Sequence, residues 1–489
     1  MINLDLLIII SYIISIFFIG LYYGKNTKTI LDYTVANKKS NKIVLSLTLI
    51  ATVFGAGSIV GDAAKVSSDG IIFIVSMTSA LSMTAYVHFF ADKFFDSRFD
   101  NMISAGDLSR YFYGRKAEQI TAIFGILISS TSIGGQLTAV GHLFSNFFEN
   151  SYDKIVILSS LLIIIYVSIG GVKSIAMISI VQSAIILSVI PIIAMWLVNK
   201  CGGISNVIIN TNPQKLAILT HSKFKEYSFL FFCSWLPFLW LQPSVIQRFL
   251  MTKNKNNIKS MYNIMFFVRI CFSIAITITG LCSSYLFPDI NSKNIISAVI
   301  KESLPIGLRG LFIIAVLSAS ISTADSALNA ASILLVRNII HRNKIKKYNN
   351  HGTNDEINEN HQINTKEKIN ENDIRSLILM RLFTIIIGSI AMFISLYDLD
   401  IIELMLIGFS VWGSGIIIPI VGATIKMPNP TYSFYIPSIT TLSVCILSQL
   451  IGIRGFYIPS YTVISGLISY ILCIFYYKIS NSIKKNKFN

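Results

Sequence analysis

The sequence is poor in charge and in cysteine, and each shortage excludes a class of protein. Only 13% of the 489 residues are charged, whereas an ordinary soluble domain carries about 25%. The six cysteines show no CxxC or His-paired spacing, so neither a disulfide framework nor a zinc site is predicted. The six histidines form no ligand motif, no catalytic constellation is present, and we expect no enzyme activity.

Long apolar runs dominate the chain, of which 53% is hydrophobic. A helix needs about 20 apolar residues to cross roughly 30 Å of hydrocarbon, and thirteen runs are long enough. The first lacks a positive leading segment and a small-residue cleavage site, so it predicts a membrane helix rather than a signal peptide. An all-α polytopic membrane protein is predicted, with spans at 3–24, 43–68, 70–92, 118–147, 154–170, 174–199, 226–246, 261–287, 305–340, 375–397, 400–425, 432–453 and 460–480.

Positive charge is concentrated on one side of the predicted membrane, and the opposite side holds only a few lysines, Lys215, Lys223 and Lys225 among them. The net charge of +16 would suggest nucleic acid in a soluble protein. Here the basic clusters follow the first, third, seventh, ninth and last spans, which places all of them on the same side. The positive-inside rule then predicts an outside N-terminus and a cytoplasmic C-terminus. We expect lipid rather than nucleic acid as the surrounding partner, in the plasma (bacterial inner) membrane.

Two of the spans carry helix-breaking residues. Gly55, Gly57 and Gly61 lie in the middle of the second span, where they make a continuous helix unfavourable. Pro237 and Pro243 interrupt the seventh span. The two spans stand five apart, so they cross in opposite directions and predict two inverted repeats. Paired interrupted spans are typical of a transporter's binding site, although glycine and proline are also common in membrane helices for packing.

The ninth span concentrates hydroxyl groups. Ser318, Ser322 and Ser326 recur every four residues and therefore share one helical face. Hydroxyl oxygens grouped in this way can replace part of the water shell of a hard cation. The alternative is that small residues simply allow two helices to pack closely.

The predicted organisation has five parts. They are an N-terminal helix and cytoplasmic loop at 1–42, a first repeat at 43–199, an extracellular loop at 200–223, a second repeat at 224–425, and two C-terminal helices with a basic tail at 426–489. Within the second repeat, residues 343–374 are polar and rich in Asn, Lys and Glu, which predicts a flexible cytoplasmic loop.

Four motifs resemble the sodium:solute symporter family, and the resemblance covers nearly the whole chain. Residues 51–70 resemble the family's first core helix. Tyr166–Lys173, YVSIGGVK, with Gln182 resembles its YxxxGGxK…Q element. Gln242–Arg248, QPSVIQR, resembles the QR that closes its broken proline-bearing helix. Gly307–Ser332 resembles its most specific signature, GLxGxxxxAxxxAxxSTxxS.

The resemblance implies a fold and a sodium site. The fold would be LeuT-type, with ten core helices in a 5+5 inverted repeat, one extra N-terminal helix and two extra C-terminal helices. Sodium would bind between the first and eighth core helices. Matched residue by residue, its ligands would be the carbonyls of Ala51, Phe54 and Ala319 and the hydroxyls of Ser322 and Thr323. Five neutral oxygens suit a monovalent cation better than a divalent one.

The chain departs from the family in residues that bear on the solute. Ser179 stands where the family often has Asp, so a cation release path that uses that carboxylate is not supported. The sugar-carrying branch has Gln and Asn where this chain has Ser58 and Trp235, so sugar is disfavoured. The proline-carrying branch has Ser at Gly55, so proline is not supported either. Candidate solute-binding residues lie near the two breaks: Gly55, Gly57, Ser58, Trp235, Phe238 and Gln242.

Charge within a span is unfavourable and usually paired, and three of the charged residues in the spans are candidates for a role in coupling. Asp62 and Lys65 are three residues apart on one helix, so they either pair with each other or bind a charged solute. Asp325 could tune cation binding, carry a proton or pair with an arginine.

The sequence as a whole predicts a sodium-coupled symporter that imports a small organic solute by alternating access, with Na+ as the co-transported ion and no organic cofactor. The functional unit is expected to be a monomer. A proton-coupled carrier of the same fold is one alternative, and a non-transporting solute sensor or channel is the other.

Overall fold

The computed structural model describes residues 4–25, 27, 29–78, 81, 84–88, 101–145, 152–234, 241–340, 371–397, 401–453 and 457–488. Within these ranges the chain is helical, and one isolated β-bridge joins Lys39 to Thr252. The α-helices are α1 Leu4–Gly24, α2 Ile30–Val35, α3 Lys42–Val53, α4 Asp62–Asp69, α5 Ile74–Thr78, α6 Ala105–Tyr113, α7 Arg115–Ser145, α8 Tyr152–Lys200, α9 Ile204–Asn210, α10 Pro213–Leu216, α11 Phe224–Ser234, α12 Pro243–Leu250, α13 Lys255–Leu286, α14 Ser292–Ala298, α15 Leu308–Ile333, α16 Glu371–Leu396, α17 Ile401–Trp412, α18 Ile418–Thr424, α19 Tyr432–Leu450 and α20 Tyr457–Phe488.

The predicted all-α membrane fold is confirmed. Nine helices of the described chain are long and apolar enough to cross a membrane, and α3 with the segment Gly57–Thr78 makes a bent tenth span. One of the nine, α8, holds two predicted spans. The third and seventh predicted spans run into residues outside the described ranges. The count of thirteen is therefore consistent with the described helices and stays a prediction, as do the repeat boundaries.

Helix α8 has 49 residues and bends at one glycine. At 1.5 Å per residue such a helix is about 73 Å long, which is enough for two crossings. At Gly171 the backbone has φ 58° and ψ −166°, a conformation open essentially to glycine alone. A Cβ atom at this position would lie 2.5 Å from the ring of Tyr33 in α2. The glycine pair of the YxxxGGxK element thus separates two spans and seats α2 against the bend.

Helix α15 is the centre of the bundle, because it is buried along almost its whole length and packs against α1, α3, α7 and α8. Its first turn is fixed by Asp5 of α1, whose Oδ1 accepts hydrogen bonds from the main-chain N–H groups of Gly307 at 2.7 Å and Gly310 at 2.9 Å. A carboxylate at a helix N-terminus satisfies unpaired donors and complements the helix dipole. A Cβ atom at Gly310 would lie 2.9 Å from the Asp5 main chain. The two glycines of the GLxG motif therefore allow α1 to approach this helix end closely.

We predict that Gly171→Ala destabilises the protein by about 1–3 kcal/mol from backbone strain alone, with the clash against Tyr33 in addition. The measurement is the apparent melting temperature of the detergent-purified protein. Gly20→Ala is the matched control, since its backbone is not left-handed and its added Cβ would approach no atom more closely than the flexible end of Ile178 at 3.3 Å and Tyr166 Cβ at 3.4 Å. Equal melting temperatures for the two variants would contradict the prediction.

Candidate cation site between two helices

The second predicted span breaks at the glycines. Helix α3 ends at Val53, the next helical segment begins after Gly55, and the chain bends by 64° between the two halves. Phe54 leaves the helical conformation with φ −87° and ψ 85°. The last carbonyl groups of α3 therefore lack the main-chain N–H partners that a continuing helix would provide one turn further along the chain.

A glutamine from α7 occupies the break. Oε1 of Gln136 accepts a hydrogen bond from the main-chain N–H of Ala56 at 2.9 Å. A Cβ atom at Gly55 would lie only 2.8 Å from the amide of Gln136. Gly55 is thus needed because another side chain fills its place. The buried Gln136 satisfies one of the main-chain donors that the break exposes.

The hydroxyl groups of α15 face the carbonyl end of α3. Ser322 Oγ lies 2.7 Å from the carbonyl oxygen of Ala51 and 3.1 Å from that of Ala319. Thr323 Oγ1 donates to the carbonyl oxygen of Thr52 at 3.2 Å. All five residues are buried. The structure thus brings four of the five predicted ligand residues together, with Thr52 as an additional neighbour.

Phe54, the fifth predicted ligand residue, holds the break in place with its side chain. Its ring is fully buried and stacks on Phe272 of α13, with the centroids 4.1 Å apart. The guanidinium carbon of Arg269, also in α13, lies 5.3 Å from the same ring, within cation–π distance. The unwound residue is therefore anchored to a neighbouring helix, and its main-chain conformation is determined by the surrounding packing.

The oxygens between α3 and α15 form a neutral, buried donor set. Hydroxyl and carbonyl oxygens are hard ligands, and a site without carboxylates favours a monovalent cation over a divalent one. In the described part of the chain no group of three or more His, Cys, Asp or Glu residues could hold a metal. The arrangement can therefore replace part of the water shell of an alkali ion.

Asp62 interacts electrostatically with an arginine of a neighbouring helix. This residue begins α4, just beyond the break, and its carboxylate interacts electrostatically with Arg269 of α13. Nε of Arg269 also donates to the carbonyl oxygen of Met77 at 3.4 Å. Lys65 acts electrostatically on Asp69 at the end of α4. The arginine partner was not predicted from the sequence.

Asp325 takes part in a buried polar network that joins four helices. Its Oδ2 accepts from the hydroxyl of Tyr166 at 2.9 Å, and its Oδ1 accepts from Ser326 at 3.2 Å. Nη2 of Arg248 donates to Ser326 Oγ at 2.5 Å, and its Nε and Nη2 each lie 3.3 Å from Thr52 Oγ1. Arg248 is 1% exposed and Asp325 is fully buried. Asp325 and Arg248 are thus linked through the Ser326 hydroxyl, and the role of Asp325 in transport stays a prediction.

The QR pair of the broken seventh span ties α12 to its neighbours. Gln247 Nε2 donates to the carbonyl oxygen of Thr34 in α2 at 2.7 Å, and Asn329 of α15 lies 3.5 Å from Gln247 Oε1. Pro243 stands in the first turn of α12, where a missing N–H is harmless. Leu241 and Gln242 directly before it are not helical, so Pro243 marks the start of the helical segment that follows the predicted interruption. Pro237 lies outside the described residues.

The candidate solute residues are only partly described. Gly57 and Ser58 lie in the π-helical turn Gly57–Gly61 and are partly exposed. Gln242 caps α12 without a side-chain bond to the helix and is also partly exposed. Trp235 and Phe238 lie outside the described residues. A wall formed by these two aromatics stays a prediction.

Comparison with known proteins agrees with this geometry. The sodium:solute symporter family matches residues 33–358, which is about two thirds of the chain and includes every proposed ligand. This chain belongs to the sodium:solute symporter family, and Na+ is its coupling ion.

Individual relatives are distant in sequence and close in fold. The sodium/sialic acid symporter NanT of Aliivibrio fischeri is 24% identical over 361 residues, which cover 69% of this chain and 70% of the relative. A solved substrate-bound, outward-open Na+-coupled sialic acid symporter superposes with a TM-score of 0.78 at 17% identity and covers 96% of this chain and 97% of that one. A solved structure of MhsT in complex with L-phenylalanine gives a TM-score of 0.56 at 13% identity and covers 88% of this chain and 98% of that one. The LeuT-type fold is thereby confirmed.

We predict that Arg248→Met destabilises the protein by about 3–5 kcal/mol, because it leaves the Asp325 carboxylate buried without its cation. Removing both charges in Arg248→Met/Asp325→Asn should recover most of that loss. Melting temperatures of the two single variants and the double variant measure the coupling. Lys253→Met, at an exposed lysine, is the control for loss of a positive charge. A double variant as unstable as the sum of the two single variants would contradict the coupling.

Proposed function

We propose that this protein imports a small organic solute by alternating access, with one Na+ held between α3 and α15. The observation that carries the proposal is the contact of the Ser322 and Thr323 hydroxyls with carbonyl groups at the broken end of α3. Oxygens from a helix and from an unwound main chain converge there without a formal charge. Non-helical backbone survives at membrane depth only where it lines a cavity or is enclosed by protein.

Sodium would act by linking the two helices. The Ser322 hydroxyl has one proton and two nearby carbonyl acceptors, on Ala51 and Ala319. With the proton turned to its own helix, the hydroxyl oxygen and the Ala51 carbonyl can both face a cation. The ion would then replace a weak hydrogen bond with a multidentate contact between α3 and α15. That contact would stabilise the outward-open form and shape the adjacent solute site.

The solute site belongs beside the same break. Of the described candidates, Gly57, Ser58 and Gln242 are partly exposed, which is consistent with contact to a solute, whereas Gly55 is buried beside Gln136. Two sialic acid symporters are among the similar proteins, so sialic acid is the first solute to test. The sugar-carrying branch has Gln where this chain has Ser58, so this chain would recognise sialic acid through other contacts. We propose no specific solute beyond a small organic molecule.

The energetics of one coupled ion are sufficient for accumulation. One charge that moves down about 100 mV releases about 2.3 kcal/mol. A tenfold sodium gradient adds about 1.4 kcal/mol. Together these sustain an accumulation of several hundredfold for a neutral solute. No covalent step is needed.

Sodium coupling is favoured over proton coupling by the uncharged oxygens at the break and by the hydrogen bonds of the buried Asp325. Its carboxylate accepts from Tyr166 and from Ser326, and Arg248 donates to the same Ser326 hydroxyl. A proton carrier must lose and regain its charge during the cycle, and protonation of Asp325 would remove the negative group of this network. The network therefore suits a structural role better than a proton relay.

We propose an outside N-terminus and a cytoplasmic C-terminus in the plasma membrane, because the basic loops share one side. The inverted repeats are proposed at 43–199 and 224–425. Each repeat would contribute one broken span to the solute site. One chain contains all five proposed ligands, which supports a monomer as the functional unit.

We predict that Ser322→Ala/Thr323→Ala raises the sodium concentration for half-maximal uptake by at least tenfold, because each lost hydrogen-bonding or ligand group is worth about 1–2 kcal/mol. Sodium titration of uptake in proteoliposomes measures the shift. Ser320→Ala is the matched control, since the buried Ser320 hydroxyl on the same helix has no hydrogen-bond partner among the described residues. An unchanged sodium dependence in a well-folded double variant would refute the site.

We predict that replacement of external sodium by choline at constant pH abolishes concentrative uptake. The experiment starts with a screen of vitamins, amino acids, carboxylates and sialic acid for sodium-dependent thermal stabilisation, since a ligand that binds only the folded state raises the melting temperature. The best solute is then used for uptake. Uptake that persists in choline and follows an imposed pH gradient would establish the proton-coupled alternative. Binding without accumulation would establish the sensor or channel.

A further inference from the structure

Two cysteines from distant parts of the chain meet at one end of the bundle. Cys201 directly follows the last residue of α8, and Cys282 lies one turn before the end of α13. Both are free thiols in this structure, and their side chains interact with each other. Cys201 is 3% exposed and Cys282 is fully buried. Cys271, Cys445 and Cys473 are also free thiols.

Main-chain and side-chain contacts hold Cys201 in this position. Nδ2 of Asn206 in α9 donates to the carbonyl oxygen of Cys201 at 2.7 Å and to the hydroxyl of Tyr285 at 3.2 Å. Tyr285 lies one turn beyond Cys282 on α13. Gly203, with φ 104°, turns the chain at the end of α8 and donates its N–H to the carbonyl oxygen of Val198 at 2.9 Å. The approach of the two thiols is therefore built into the packing of α8, α9 and α13.

The pair lies at the end of the bundle away from the basic loops. Helix α13 begins in the basic segment 248–259 and ends four residues after Cys282. The second half of α8 runs in the same direction and ends immediately before Cys201. In the proposed orientation both helix ends face the outside of the cell. Extracytoplasmic compartments are oxidising, and disulfides form and persist there.

We propose that Cys201 and Cys282 form an intramolecular disulfide in the mature protein. One sulfur–sulfur bond forms, and the two thiols lose two protons and two electrons. These pass to the disulfide of a thiol-oxidising protein or of an oxidised small thiol outside the cytoplasm, which is reduced to two thiols. Exchange proceeds through a mixed disulfide that the second cysteine resolves.

The timing and the effect of the bond follow from burial and topology. Burial raises the pKa of the Cys201 thiol, so the thiolate that attacks a disulfide is scarce once the bundle has closed. Oxidation would therefore take place during membrane insertion, before the two residues are enclosed.

The bond would close a loop of residues 202–281, which contains the interrupted span of α11 and α12. A link across a long loop restricts the unfolded chain and stabilises the folded one.

The test counts oxidised cysteines in the whole protein from intact cells. Cells are opened in denaturant with N-ethylmaleimide to block free thiols, and the protein is then reduced and labelled with maleimide-polyethylene glycol. We expect two labels per wild-type chain, two in Cys271→Ser and none in Cys201→Ser or Cys282→Ser. Cys271 is exposed on the same helix α13 and is the matched control. Sodium-dependent uptake by the serine variants shows that they fold, so loss of the labels is separate from any failure of the transport proposal.

A second readout is stability. Reductant should lower the apparent melting temperature of wild type and Cys271→Ser by several degrees and leave that of Cys201→Ser unchanged. The proposal is overturned if wild-type protein from cells yields no label after reduction. It is equally overturned if two labels persist in Cys201→Ser, because another pair of cysteines would then carry the disulfide.

Discussion

The structure depends on one constraint: main-chain groups freed inside a membrane bundle must find partners within the protein. Helix α3 ends at Val53, and its terminal carbonyl groups need hydrogen-bond partners. The α15 hydroxyls reach the carbonyls of Ala51 and Thr52, and Gln136 satisfies the N–H of Ala56. The break is therefore a stable feature of the fold. A cation between α3 and α15 would use the same oxygens.

Charge balance is the second condition that the centre of the protein meets. Two buried arginines lie beside the break: Arg248 contacts the Thr52 hydroxyl, and Arg269 lies over the Phe54 ring. Without compensation they would repel a cation across a medium of low dielectric constant. Asp325 is joined to Arg248 through Ser326, and Asp62 interacts electrostatically with Arg269. An acidic residue therefore accompanies each arginine, which favours the binding of a monovalent ion at the neutral oxygens.

Much of this arrangement could be predicted from the sequence, because the relevant signals are local. Apolar length indicated the spans, the glycines around Gly55 indicated the break, and the four-residue spacing of Ser318, Ser322 and Ser326 indicated a hydroxyl face. The family's signature connected these parts into one site. What could not be predicted were contacts across helices. Nothing near Gln136 in the chain indicates that its amide fills the space beside Gly55.

The charged residues show the same limit. Asp62 and Lys65 are close in sequence, which indicates a local pair, but spacing along one helix does not reveal the electrostatic interaction of Asp62 with Arg269 of α13. The prolines indicate an interruption, but they do not reveal that the helix resumes at Pro243, in whose first turn the missing N–H is harmless. Trp235 and Phe238 stay predictions. In each case the missing information is which helix lies opposite, and spacing along one helix does not contain it.

The most direct test of the central claim is a pair of high-resolution maps of the protein, one in sodium and one in choline. A density peak should appear only in sodium, enclosed by the carbonyl oxygens of Ala51, Phe54 and Ala319 and the hydroxyls of Ser322 and Thr323. A continuous α3 through Phe54–Ser58, hydroxyls that face the acyl chains, or a sodium-dependent peak elsewhere would contradict it.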